Sequence, residues 1–140
     1  MNDGASLLLD TCAAIWMSRG EPIAQSAADL LDGAYAAGLT TYVSPMTAWE
    51  VGMLVSHRRL NLALDTQVWF ERLLAVPGMA LADLSAAILI RSSFLPGSGP
   101  RDPADRVMAA TAREFGYRLV TRDRALLEYA AQGHVQAIAC

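Results

Sequence analysis

The chain is 140 residues long, 54% hydrophobic and 18% charged, which is the size of one ordinary domain (read as 1–140) with enough apolar material for a real core. Its net charge of −3 argues against a general nucleic-acid coat. All eleven basic residues are Arg, so a Walker-type phosphate lysine and a lysine Schiff base are excluded.

In chain order, Ser6–Leu9 is an apolar run ending in Asp10 and predicts a buried parallel strand. Thr11–Met17 begins a short helix, and Pro22 opens a second that runs to about Ala37 and stops at Gly38. Thr41–Val43 predicts a second strand, after which Ser44-Pro45 caps a helix that continues through Glu50 to about Ser56. Asp65 caps a helix over Thr66–Ala75, Pro77-Gly78 turns into a weak strand at Met79–Ala82, and Ser85–Ser92 predicts another helix. Pro96–Pro100 is a loop, Asp102-Pro103 opens a strong helix to Phe115, and Tyr117–Val120 is a clear strand. Thr121-Arg122-Asp123 leads into a last helix to about Ala131, with Val135–Ala139 as an edge strand. Strands alternating with helices predict an α/β fold: a three-layer α/β/α sandwich around a mainly parallel sheet of four or five short strands.

Cys12 and Cys140 lack a CxxC spacing, and only His57 and His134 accompany them, which argues against structural zinc and a disulfide framework. No signal peptide and no stretch of membrane-spanning length is evident, so a cytoplasmic protein without a membrane association is expected. The apolar share exceeds that of a typical soluble monomer, and part of it is expected to cover a surface meant for another chain.

The chemistry lies in four acids from four segments. Asp10 ends the first strand, Glu50 sits in the second turn of the helix after the second strand, Asp105 lies in the first turn of a later helix, and Asp123 follows the fourth strand. In open parallel sheets, ligands gather at the carboxyl ends of the strands. Like charges collected there repel, so a fold gains nothing from grouping them unless a hard divalent cation reverses the sign. Mg²⁺, or Mn²⁺, held by Asp10, Glu50, Asp105 and Asp123 would activate a water for in-line attack on a phosphodiester. Structural alternatives stand beside each: Asp102 reads as the N-cap of its helix, Asp105 as a capping-box acid, Asp10 as an acceptor of backbone hydrogen bonds, and Asp123 as the cap of the last helix. Glu50, between Trp49 and Val51 in an apolar helix, needs a buried Arg partner if it is merely structural.

Four stretches together resemble the PIN-domain nucleases, specifically the VapC type of toxin from bacterial toxin–antitoxin pairs. They are Leu7-Leu8-Leu9-Asp10-Thr11 with Trp16, Ser44-Pro45-Met46-Thr47-Ala48-Trp49-Glu50-Val51-Gly52-Met53-Leu54, Asp102-Pro103-Ala104-Asp105-Arg106 through Ala112, and Leu119-Val120-Thr121-Arg122-Asp123 with Leu126. The resemblance implies a Mg²⁺-dependent endoribonuclease whose metal-site acids fall on Asp10, Glu50, Asp105 and Asp123 and whose helper hydroxyl falls on Thr121 or Thr11. It further implies an RNA substrate, neutralisation by a small antitoxin, and a homodimer or a larger toxin–antitoxin assembly. Cys12 stands where many relatives carry His, and Ala104 where a bulky aromatic is common. No acid follows shortly after Asp123, where some relatives have one.

Arg106, Arg122 and Arg124 are candidates for holding RNA phosphates, against a solvated face or pairing with Glu114 or Glu128. Trp16, Trp49 and Trp69 are candidates for stacking on bases but are expected mainly in the core. A phosphotransfer domain of the haloacid-dehalogenase class would need an Asp where Cys12 stands, and a response-regulator receiver would need a lysine. The remaining competitor is a catalytically inactive PIN-like module that binds RNA or protein; its expected mark, loss of one of the four acids, is absent here.

Overall fold

The structure, a computed structural model, describes residues 5–140, so the first four residues of the expected 1–140 unit lie outside it. Five strands, β1 (Leu7–Leu9), β2 (Thr41–Val43), β3 (Met79–Leu81), β4 (Arg118–Thr121) and β5 (Gln136–Ala139), form one sheet in the order β3-β2-β1-β4-β5. Every neighbouring pair is parallel, with Leu9 opposite both Val43 and Val120. Among the described residues seven helices surround it: α1 (Thr11–Arg19), α2 (Gln25–Ala36), α3 (Pro45–Ser56), α4 (Thr66–Ala75), α5 (Ala86–Ser92), α6 (Pro103–Phe115) and α7 (Arg124–Ala131).

The apolar run of β1 has a simple cause. Its side chains alternate between faces, and both faces are covered. Leu7 and Leu9 pack with Ala13, Ile15, Ala27, Val51 and Trp69 from α1–α4, whereas Leu8 packs with Met108, Ala109, Leu126 and Tyr129 from α6 and α7. A strand buried on both sides cannot alternate in polarity. This is the expected α/β/α sandwich, with the edge strand at Val135–Ala139 found as β5.

Helix ends follow local chemistry. Gly20 and Gly116 take φ of 68° and 70° just after α1 and α6, a left-handed turn open to glycine without a Cβ penalty. The second helix differs from expectation: it starts at Gln25 rather than Pro22 and has no capping side chain. The Ala24 N–H donates to the Cys140 carbonyl at 3.0 Å, which holds Pro22–Ala24 extended against the end of β5.

The chain adds β2 and β3 on one side of β1, then crosses to add β4 and β5 on the other. The strand order therefore reverses between β1 and β4. A crevice opens at the carboxyl ends of strands where such a reversal occurs.

Candidate active site

Asp10 leaves β1 at that reversal. As the N-cap of α1 it accepts the Ala13 N–H on Oδ1 at 2.8 Å, and its Oδ2 accepts the hydroxyl proton of Thr121, the last residue of β4. Thr121, fully buried, in turn accepts the Asp123 N–H at 3.0 Å. One hydroxyl thus ties the ends of the two central strands to two of the acids.

Glu50 reaches the same crevice from α3. Its Oε1 accepts the proton of Thr11, the first residue of α1. Thr11 has one hydroxyl proton and gives it to the carboxylate, so at 3.1 Å the buried Thr47 hydroxyl must be the donor to Thr11. A relay Thr47→Thr11→Glu50 results. Replacing Thr11 by Val keeps the shape but strands the Thr47 hydroxyl, at a cost of about 1–2 kcal/mol. Thermal unfolding of Thr11→Val is expected roughly 5 °C below the parent, with Thr11→Ser close to it; equal midpoints for all three would refute the relay.

Asp105 and Asp123 stand at helix N-termini. Asp123 caps α7, its Oδ2 accepting the Leu126 N–H at 2.9 Å. Asp102 caps α6 as expected, accepting the Ala104 N–H at 3.2 Å, and Asp105 lies in the first turn beyond it. Asp123 thus takes the structural role expected of it, whereas Asp105 makes no cap bond among the described residues, and its capping-box reading is not found. A cap occupies one carboxylate oxygen and leaves the other oxygen and the charge.

The acids feel one another. Burial, and then the charges of Asp123, Asp102, Glu50 and Asp10, push the Asp105 carboxyl up to about 7, and no hydrogen bond offsets them. Burial also raises Asp10, against the Thr121 and Ala13 hydrogen bonds that stabilise its charged form, with Asp123 adding to the rise. Glu50 is raised by burial and by Asp102 and Asp10, partly offset by Thr11. Asp102, whose place in the sequence signals only a helix cap, is thus a fifth charge at the site. Cys12, beside Asp10, is pushed up to about 11 by partial burial and the same carboxylates, so its thiol stays protonated and is no nucleophile.

The donors fit a hard, hydrated divalent cation. All four acids offer oxygen, and the ion pairs found among the described residues, Arg19–Glu21 and Arg91–Glu114, touch none of them. Among the described residues, no three acid, His or Cys side chains stand in a ready-made metal cage. The oxygens of Asp10, Glu50 and Asp123 instead face neutral donors within the protein. Mg²⁺ asks no more, since it binds through one or two carboxylates and retains several waters.

Grooves of about 440 Å³ and about 200 Å³ flank the acids. Asp105 and Asp123 line the larger with Arg101, and Glu50 lines the smaller with Trp49, Met53 and Arg59; Asp102 belongs to both walls. Trp69 is core as expected, but Trp49 is not: it is 54% exposed on the wall of the smaller groove. Arg106 is committed elsewhere, donating to the Ser92 carbonyl at 2.7 Å and the Pro100 carbonyl at 2.9 Å, which pins the Pro96–Pro100 loop. Glu114 pairs with Arg91 rather than with any of the three candidate arginines. Arg122 and Arg124 remain exposed.

A family model described as PIN domain matches residues 7–132. The chain is 34% identical over 121 residues to Ribonuclease VapC22 of Mycobacterium tuberculosis, covering 86% of this chain and 89% of that protein. Among solved structures, VapBC2 from Rickettsia felis, bound to a DNA fragment from its promoter, is similar with a TM-score of 0.68 at 16% identity, over 96% of this chain and 98% of that one. FitAcB from Neisseria gonorrhoeae is similar with a TM-score of 0.51 at 22% identity, over 94% and 96%. At these identities the two structures speak to the fold alone, and they agree with the five-stranded architecture.

Proposed function

The chain belongs to the PIN-domain family, and on that premise we propose that it is a metal-dependent endoribonuclease, the toxin of a toxin–antitoxin pair. The observation that carries the reading is that Asp105 feels the charges of Asp10, Glu50 and Asp123 beside the β1–β4 reversal, with no arginine ion-paired to any of the four among the described residues. The likeness to Ribonuclease VapC22 supports the activity and, with the VapC-type resemblance of the four sequence stretches, an antitoxin partner.

Asp10, Glu50, Asp105 and Asp123 would hold Mg²⁺, or Mn²⁺ in its place. When bound, such an ion lowers the pKa of a water and offsets the charge that develops on the phosphoryl oxygens. The protein's own part is orientation. Thr121 steadies Asp10 and Thr11 steadies Glu50, the two positions to which the resemblance carries the helper hydroxyl. Both hydroxyls stabilise the charged carboxylates without neutralising them. Arg122 and Arg124 would supply donors for RNA phosphates, and an unpaired stretch of the RNA would lie across the two grooves, which share Asp102. Leu89, Ile90 and Phe94, exposed on and just after α5, are the apolar surface for a partner chain, a second copy or the antitoxin. No helix among the described residues is long and apolar enough to cross a membrane.

Purified protein incubated with a structured RNA is expected to cut it in Mg²⁺ or Mn²⁺ and to leave it intact in EDTA. Cutting in EDTA, or none in either metal, would overturn the reading.

A further inference from the structure

Arg122 stands between Thr121 and Asp123, both tied into the carboxylate cluster, and its charge is felt at Asp10. An unrestrained arginine in that position would fold onto a carboxylate, because a charged, forked hydrogen-bonded pair is the strongest contact within its reach. It does not. The guanidinium carbon lies 3.7 Å from the centroid of the Trp16 ring, and Nη2 donates to the Cys140 carbonyl at 3.0 Å. Both supports are themselves fixed. Trp16 sits in α1, packed against the core, and the Cys140 carbonyl also accepts the Ala24 N–H. A guanidinium lying over an indole face is held by cation–π attraction and by stacking, and the carbonyl occupies one of its five N–H donors.

We propose that Trp16 is a positioning residue that parks Arg122 clear of the acids, keeping the carboxylates open to a divalent cation and the arginine free for an RNA phosphate. The proposal rests on the nuclease reading above, but it makes separate demands. Without the ring, Arg122 gains the freedom to close on Asp10 or Asp123. There it competes with the cation and is lost to the phosphate at the same time. Without the arginine, only the phosphate contact is lost, and the cation meets less positive charge than before. Trp16→Leu and Arg122→Ala therefore act alike on RNA and differently on metal.

The test measures Mn²⁺ affinity by titration calorimetry, and single-stranded RNA affinity by fluorescence anisotropy in EDTA across a salt series. Trp16→Leu is expected to weaken Mn²⁺ binding at least about fivefold, whereas Arg122→Ala leaves it unchanged or tighter. Both should flatten the dependence of log affinity on log salt by about 0.7, the loss of one phosphate contact on a single strand. Trp16→Phe, which keeps an aromatic face, should match the parent on both measures. Parent-like Mn²⁺ affinity in Trp16→Leu, or equal weakening in Arg122→Ala, overturns the proposal. Should Trp16→Leu fail to fold, the unsubstituted protein still decides: the Arg122 side-chain protons must show upfield ring-current shifts by NMR, and random-coil shifts refute the stacking. Failure of the nuclease reading has its own signature, since the parent protein would then bind no Mn²⁺ and cut no RNA.

Discussion

Asp10→Asn is expected to reduce metal-dependent RNA cleavage more than about 100-fold while leaving the fold about as stable as the parent. The lower bound follows from residues that only support a metal's ligands, whose loss typically costs 10–100-fold; removing a ligand's charge costs more. Stability has a separate origin. Asp10 is 5% exposed, and its burial disfavours the charged form. An Asn there can still accept the Ala13 N–H, and its amide can donate to the second lone pair of Thr121, but the buried Thr121 proton that Asp10 accepted loses its acceptor. A neutral isostere therefore removes the buried charge and keeps the capping bond at the cost of one hydroxyl bond, and the two effects offset each other. Gel assays of cleavage beside thermal unfolding check both halves. An Asn variant that cuts like the parent would remove Asp10 from the chemistry, and one that unfolds would show its role to be structural.

The second large effect is on stability and runs against the common behaviour of acidic side chains. An Asp in a salt bridge has a lowered pKa, and its protein weakens as pH falls. Asp105 has a raised one, at about 7 in the folded chain against an ordinary 3.8. Between those values the folded state binds more protons than the unfolded state, so stability falls as pH rises from about 4 to 7 and stays low above that. Asp105 retains substantial contact with solvent, so screening reduces the effect to about 1–2 kcal/mol, roughly 5 °C in the unfolding midpoint. In EDTA the protein is expected to melt higher at pH 5 than at pH 8. Mg²⁺ or Mn²⁺ at pH 8 should restore the difference by binding the folded state, and Asp105→Asn should flatten the pH dependence in EDTA. A midpoint that rises between pH 5 and pH 8 without metal would contradict the crowding of carboxylates on which the site depends.

Much of this site is legible in the linear chain because its residues end regular elements. Leu7–Leu9 and Leu119–Val120 are apolar runs halted by polar residues, and a parallel sheet brings such endings to one side. Asp102, Asp105 and Asp123 fall where helix caps belong, so their placement follows from local chemistry. What was not legible depends on contacts between distant segments. Pro22 looks like the first residue of a helix, but a bond from Ala24 to Cys140 holds that stretch extended. Arg106 borders Asp105 in sequence, while its donors are drawn to carbonyls of the Pro96–Pro100 loop and of Ser92, which no periodicity reveals. Trp49 and Met53 share a helical stripe, and which stripe of α3 is covered depends on how α1, α4 and α6 pack around it. Thr47 did leave a trace: it lies one turn before Glu50 on the same helical face, within reach of a hydroxyl from a neighbouring helix.

The hydrogen bond between Thr121 and Asp10 joins positions 111 apart. Closing so long a loop costs conformational entropy before any contact repays it, so this bond forms only once β1 and β4 have paired side by side. The orientation of Asp10 is thereby tied to a long-range strand pairing, and a substitution that loosens the β1–β4 seam is expected to disturb that carboxylate without touching it.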